Sequence, residues 1–443
     1  MRATGLHPHT ESDHECPHCR ARLSVEGFYI PGMRNLADLR CPGCAREFYG
    51  DLAAGQALYT PMLLEKATGA VHDAHGIEWF AEWLRESYAS RTDAPVPFDV
   101  RERLPITRRV VLLNCLDTLY GHSLLKLLNA QYYLDRRLDA DLIVLVPSFL
   151  AWMVPEAVAQ VWVVGLPLRR GTEWNDWLAR EIRRRVEAFE CVSLGHALSH
   201  PRPDEYDIER FTRVEPFPLD EWDARLKRPA VTFIWRDDRP WHASNDNAYH
   251  TIGDAHQTLR EKLRRFIARP SRPTGEQHRS VSALAEALRL DWPALDFAVA
   301  GLSEPAVGEA LRDEVLRSEA THDEALRDEA LPVWVTDLRR PAADEAVERL
   351  WCQRYAASHV VVGVHGSNML LPSAHAGGVV ELIGPERWGN FTQDILFRDT
   401  RDCRETLFRY RFVPDSTPPL ALAQLISLLL RGREGFRRLM NVE

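Results

Sequence analysis

From Arg109 onward, short β-branched runs alternate with helical segments, and this alternation restricts the fold more than any other feature of the chain. Arg109 to Asn114 (RVVLLN), Leu142 to Val146 and Val161 to Val164 read as buried strands. A further strand is expected around Glu190 to Ser193, with helices at Gly121 to Leu134 and Trp174 to Phe189. A second series follows: strands at Ala230 to Trp235, Asp296 to Ala300, Val333 to Thr336, His359 to Val364 and Gly378 to Ile383, and helices at His256 to Ala268 and Asp344 to Ser358. Strands that alternate with helices form parallel sheets covered on both faces, so the expected class is α/β with two facing Rossmann-like lobes. The length of 443 residues agrees, since about 150 residues per domain leaves room for both lobes and a smaller third unit.

The third unit is marked by cysteines. Cys16-Pro-His-Cys19 and Cys41-Pro-Gly-Cys44 have the spacing of two knuckles that turn their thiolates toward one tetrahedral metal. A structural zinc ribbon over residues 1–55 is expected, coordinatively closed and without chemistry of its own. The other cysteines, Cys115, Cys191, Cys352 and Cys403, sit among apolar neighbours and read as buried thiols. Residues 56–105 read as a helical connector (Pro61 to Ala67, Gly76 to Ser90) with a Pro-containing linker. The first lobe then spans 106–225 and the second 226–415. Residues 416–443 form a terminal helix, Pro419 to Leu439, whose polar face carries Arg431, Arg433, Arg437 and Arg438; packing on the body is favoured over lying on a membrane. Between strands of the second series the segment Glu304 to Leu331 carries EALRDE twice, at 309–314 and 324–329, and reads as a solvated helical insert.

Charge limits the partners. The net charge of -9 argues against coating nucleic acid, while a small anionic ligand needs only a few local cations. Nearly all of the 55 basic residues are arginine, so an anion site here is built from guanidinium groups. The longest apolar stretch, Leu142 to Leu168, is broken by Pro147, Pro155 and Glu156 before it reaches a membrane-spanning length, and Met1 to Glu15 has no apolar signal region. A cytoplasmic location is expected.

In parallel sheets ligands bind outside the carboxyl ends of the strands, which singles out four loops. The loop after Asn114 carries Asp117 and His122, either of which can serve as general base on a hydroxyl; a turn or cap role for Asp117 is the alternative. The loop after the Ala230 strand reads Arg236-Asp237-Asp238-Arg239. Two guanidinium groups there suit a diphosphate, unless they pair with the neighbouring carboxylates. The strand ending at Val364 runs into His365-Gly366-Ser367-Asn368, a glycine turn opening a helix, whose free N–H groups face an anion. Glu381 ends the last strand, where a carboxylate can accept ribose hydroxyls.

These residues carry a resemblance. The segment VVVGVHGSNMLLPSAHAGGVVELI resembles the C-terminal signature of glycosyltransferase family 61 and related fucosyltransferase-like enzymes, with a slightly shorter interval from His365 to Glu381. The Arg236–Arg239 loop and the Gly-led helix from Gly121 are similar to the corresponding parts of that family. The zinc ribbon is not part of the family's common pattern. The resemblance implies a GT-B fold holding a nucleotide sugar between its lobes, and inverting, metal-independent transfer to a hydroxyl. Whether the acceptor is a glycan, a lipid-linked molecule or a protein is left open. In this reading Arg236, Arg239, His365, Gly366, Ser367, Asn368 and Glu381 bind the donor, and Asp117 or His122 deprotonates the acceptor. No DxD motif at a strand edge calls for a catalytic metal, and Asp237-Asp238 lies beside compensating arginines.

Two other readings compete. In one, the ribbon is the working part of a scaffold or nucleic-acid-binding protein with a degenerate GT-B body. In the other the chain is a different Rossmann enzyme, but no GxGxxG follows the first strand.

Overall fold

In the computed structural model the chain begins with a strand, β1 (Ala3–His7), that no sequence pattern announces. Five strands then form an antiparallel meander, each paired with the next: β2 (Ser24–Tyr29), β3 (Leu36–Arg40), β4 (Glu47–Asp51), β5 (Met62–Glu65) and β6 (Val71–Asp73). Helix α1 (Glu78–Ala89) and strand β7 (Phe98–Glu102) lead into the alternating region, β8 (Arg109–Asn114), α2 (Tyr120–Leu128), α3 (Ala130–Asp135), β9 (Asp141–Pro147), β10 (Gln160–Val164), α4 (Asp176–Val186) and β11 (Cys191–Gly195). The described residues are 3–136, 139–200, 206–241, 274–303 and 331–442. They divide into two units, Met1–Arg202 and Pro203–Glu443.

In the first unit β8 to β11 are parallel, in the order β1-β11-β8-β9-β10-β7, and the two outer strands close the edges antiparallel. The inner strands are apolar on both faces because helices and the meander cover them, as a parallel sheet requires. The meander is not an independent module. Phe28, Ile30, Leu39 and Phe48 share one apolar cluster with Leu112, Leu145, Trp162 and Ile182 of the parallel sheet and its helices.

The expected helix at Pro61 to Ala67 is strand β5. Its four residues MLLE are all buried, and a short apolar run has no period that separates helix from strand; pairing with β4 and β6 decides it. The expected connector at 56–105 is therefore mixed, with α1 its one long helix. Cys191 and Cys403 are exposed, whereas Cys115 and Cys352 are buried as expected. Cys191 and Cys403 each open an element, where the chain first leaves solvent.

The second unit contains β12 (Ala230–Arg236), β13 (Asp296–Leu302), β14 (Thr336–Arg340), β15 (Val360–Val364), β16 (Gly378–Ile383) and β17 (Tyr410–Pro414), all parallel. Their order, β14-β13-β12-β15-β16-β17, is the 3-2-1-4-5-6 arrangement of dinucleotide-binding sheets. The α/β class with two Rossmann-like parallel-sheet units is thus what the chain forms. β14 begins where the expected strand at Val333 ends, because its sequence TDLRR is polar and only its edge position makes it a strand. Residues 206–225, expected in the first lobe, belong to the second unit: Phe217 N–H donates to His375 O at 2.8 Å and Trp222 is buried in that unit's core. The helix Pro419–Met440 buries Leu422, Ile426, Leu429 and Leu430. Arg433, expected on its polar face, instead turns inward and bonds Glu405 through Nε at 2.9 Å. The expected helix at His256 to Ala268 and nearly all of the insert at 304–331 lie outside the described residues. Among the described residues no helix is long and apolar enough to cross a membrane.

Candidate functional site

Three places gather chemistry-bearing side chains. The first is the pair of knuckles, which are two copies of one turn. The residue after each second cysteine is left-handed, Arg20 at φ 64° and Ala45 at φ 59°. In both, that residue's N–H donates to the first cysteine's carbonyl at 2.9 Å. The first cysteine's own N–H closes the loop on Ala21 O or Arg46 O at 2.8 Å. The result sets Cys16 Sγ 3.6 Å from Cys44 Sγ, and Cys19 Sγ 3.3 Å from Cys41 Sγ. A disulfide would need about 2.05 Å, while thiolates around one tetrahedral ion stand about 3.8 Å apart. The four cysteines therefore fit a metal ion, one sulfur from each at its corners.

The second place is the carboxyl end of β8. Strand order reverses beside β8, since β9 and β10 lie on one side and β11 on the other, and the loops after β8 and β11 open at that switch point. Asn114 anchors the first loop: its Nδ2 donates to Gly32 O and Asn35 Oδ1, each at 2.9 Å, and its Oδ1 accepts from Leu116 N–H at 3.1 Å. Asp117 follows, with its carboxylate fully engaged. Oδ1 accepts from the N–H groups of Thr118 (2.8 Å) and Leu119 (3.3 Å), and Oδ2 lies 2.7 Å from Lys126 Nζ. Burial would push this carboxyl up, but Lys126 and His122 hold it well below the usual carboxylate range. Gly171 makes the neighbouring loop fit, because a Cβ there would stand 2.3 Å from Asp117 O.

His122 lies in the first turn of α2, with Nδ1 3.4 Å from Asp117 Oδ1 and its side chain 24% exposed. From the loop after β11 the His200 ring meets it edge-on, with centroids 5.3 Å apart. By sequence alone Asp117 and His122 have equal claims as base. Their surroundings separate them: Asp117 is a buried, held anion, and His122 is the partly exposed imidazole beside it.

The third place is the switch point of the second unit, between β12 and β15. Arg236 ends β12; its Nη1 donates to Asn368 Oδ1 at 2.7 Å, and Nε and Nη2 grip Asp238 at 2.9 and 2.6 Å. Arg239 Nη1 donates to His365 O at 3.0 Å. The two guanidinium groups thus meet the His365–Asn368 turn, and the expected Arg–Asp pairing also exists, for Arg236 alone. Arg239 has no carboxylate at ion-pair distance among the described residues. Burial and then the like charges of Arg236 and Arg387 lower its pKa, so three arginines are held near one another.

Gly366 allows this approach. Its φ is +152°, and a Cβ would lie 2.2 Å from Arg236 Nη1 and 3.2 Å from Arg239 Nη1. Ser367 opens a single 3-10 turn, Ser367–Met369, that runs into the six-residue helix Leu370–His375. That helix is too short for a strong dipole, so the positive charge at this turn comes from the guanidinium groups.

Glu381 departs from its expected role. The strand β16 is buried on both faces, and the Glu381 carboxylate lies in the interior with Oε2 3.0 Å from His365 Nδ1. Burial raises it to about 7 against that hydrogen bond. It holds His365 and is closed to a ribose. Three buried atoms here have no hydrogen-bond partner: His365 Nε2, Asn368 Nδ2 and Glu381 Oε1. His365 Nε2 is 3.7 Å from Asp394 Oδ2. Lys126 as a partner, His200, Arg387 and Asp394 carry no motif that marks them in the sequence. The rule that loops at strand ends carry ligands could have found His200 and Arg387, which follow β11 and β16.

No family model matches the chain, and no curated protein does. Among solved structures it is similar to the ADP-heptose LPS heptosyltransferase II of E. coli, at 15% identity over 73% of this chain and 99% of that one, with a TM-score of 0.32. It is similar also to the Glycosylation Associate Protein (Gap123) complex from Streptococcus agalactiae, at 9% identity over 98% and 78%, with a TM-score of 0.29. A third likeness is to the E. coli structure titled trehalose-6-phosphate bound with UDP-2-fluoro glucose, at 12% identity over 70% and 64%, with a TM-score of 0.26.

Proposed function

We propose that this chain is a glycosyltransferase that moves a sugar from a nucleotide-sugar donor to a hydroxyl acceptor, with inversion and without a catalytic metal ion. The observation that carries the reading is the meeting of Arg236, Arg239 and the His365–Asn368 turn at the switch point of a 3-2-1-4-5-6 sheet. Like charges forced together in a partly buried place are relieved by an anion, and a diphosphate offers oxygens to more than one guanidinium. The resemblance of residues 360–383 to family 61 signatures points the same way.

Each residue then has a task. Arg236 and Arg239 bind the diphosphate and stabilise the charge that grows on it as the glycosidic bond breaks, the work a divalent ion does elsewhere. The Gly366 turn adds N–H donors, and Asn368 keeps Arg236 aimed. His365, buried and fixed by Glu381, backs the turn and offers its carbonyl to Arg239. In the first unit His122 takes the proton from the acceptor hydroxyl, and Asp117, kept anionic by Lys126, orients the imidazole and stabilises it once charged. The four cysteines hold zinc as a closed, structural site, which suits an all-thiolate tetrahedron.

The test is a thermal-shift screen of the purified chain against UDP, GDP and CMP and their sugars. A rise in melting temperature with one nucleotide class supports the reading and names the donor. No response to any of them at millimolar concentration contradicts it.

A further inference from the structure

The histidine inside the first knuckle plays no part among the thiolates. His18 faces away from them toward the end of β5, where its Nε2 lies 3.4 Å from Glu65 Oε2. A second imidazole stands beside it. His72, in the middle of β6 and paired in register with Leu63 of β5, meets the His18 ring edge-on at a centroid distance of 5.6 Å. One ligand atom from each of His18, Glu65 and His72 lies within 4.8 Å of the other two.

Several details of this trio are odd for a salt-bridge cluster. His72 Nε2 is buried and has no hydrogen-bond partner. Glu65 is almost wholly buried, and its Oε1 is taken by Arg46 Nη1 of the second knuckle. Its Oε2 is left to His18 and to Thr68 Oγ1 at 3.3 Å. A carboxylate fixed through one oxygen by an arginine, with the other oxygen facing His18 and the His72 imidazole within reach of the pair, has the form of a metal ligand held by its outer partner.

We propose that His18, Glu65 and His72 form a second metal site beside the thiolate cluster, one that takes zinc or a similar imidazole-binding divalent ion. Two imidazoles and a carboxylate suit such an ion, and the small spread of the three ligand atoms can be drawn in by side-chain rotation. Three protein ligands leave one coordination position for water or an anionic oxygen. His18 is more than a third exposed, so that position is reached from solvent. The site differs in kind from the closed four-thiolate cluster, and it does not depend on the glycosyltransferase reading.

Metal stoichiometry tests this in the full-length chain. Zinc content is measured by mass spectrometry after equilibration with micromolar free zinc. The expected result is two zinc ions per chain in the wild type and one in His72→Gln and in His18→Gln. Cobalt substitution locates the loss: the sulfur-to-cobalt charge-transfer band persists in both variants, while weaker visible absorption from the nitrogen and oxygen site disappears. One zinc per chain in the wild type overturns the proposal, as does a count of two that survives both substitutions. His18→Gln alters a side chain more than a third exposed, so it keeps the measurement available if His72→Gln does not fold.

Discussion

Arg236 Nη1 donates to Asn368 Oδ1 at 2.7 Å across 132 residues of chain, tying the loop after β12 to the loop after β15. Both loops leave the switch point of one sheet, and Gly366 is what lets them touch. A Gly366→Ala chain places a methyl on the Arg236 guanidinium and forces a positive φ on a side-chain-bearing residue. We expect this substitution to weaken nucleotide binding by about tenfold or more while secondary structure is kept, since a charge-assisted contact contributes about 1.5–3 kcal/mol. Calorimetric titration and circular dichroism of the same preparation check it.

His122 and Lys126 are expected to fail in opposite ways. His122→Asn removes the proposed base and should lower turnover about 100- to 10,000-fold with little change in melting temperature. Lys126→Met leaves Asp117 buried with its main counter-charge gone, and should cost about 3–5 kcal/mol of stability. Denaturant unfolding beside an activity assay separates the two, and a stability loss in His122→Asn equal to that in Lys126→Met would argue that both are structural.

Removal of the metal from the cysteines should be felt well beyond the knuckles. Cys16 and Cys41 lie in the same apolar cluster as Leu112 and Trp162. A strong chelator is expected to lower the unfolding temperature of the first unit by about 10 °C or more, given the several kcal/mol a structural site contributes. The second unit, with its own core, should melt as before. Calorimetric scans with and without chelator distinguish this from a uniform shift.

Glu381 should leave a signature in the pH dependence of stability. Its folded pKa is raised to about 7 from an ordinary value near 4.5, so the folded chain holds its proton more tightly than the unfolded chain. The stabilising contribution is full below about pH 4.5 and is lost as pH rises through about 7, a change of about 3 kcal/mol. Glu381→Gln, which cannot titrate, should be less sensitive to pH across this window; urea midpoints between pH 5 and 8 give the comparison.

The elements that the sequence discloses are those buried on both faces. RVVLLN, AVTFIW and VVVGV are β-branched runs because nothing polar can stand in the middle of a covered parallel sheet. β14 (TDLRR) and the meander strands β5 and β6 are hidden for the converse reason: each is short or at an edge, and its identity comes from the neighbour it pairs with. β1 pairs with β11 almost the full length of the first unit away, a relation no local pattern carries.

For the site, the rule that ligands gather at strand ends picks out the loops at Asp117, Arg236 and His365. Strand order, which brings β12 beside β15, is not written in any one segment. Burial misled the reading of Glu381: a carboxylate at a strand end looks open in sequence, yet β16 lies inside the sheet. The reverse holds at His18, which the cysteine spacing overshadows and which only the fold sets beside Glu65 and His72.

In the proposed function the switch point of the second unit binds a nucleoside diphosphate through arginine. Isothermal titration of the responding nucleotide into the wild type, Arg236→Ala and Arg239→Ala tests it most directly. Saturable one-to-one binding is expected in the wild type and an affinity at least about tenfold weaker in each variant, since each loses charged contacts. Equal affinity in all three proteins would contradict it.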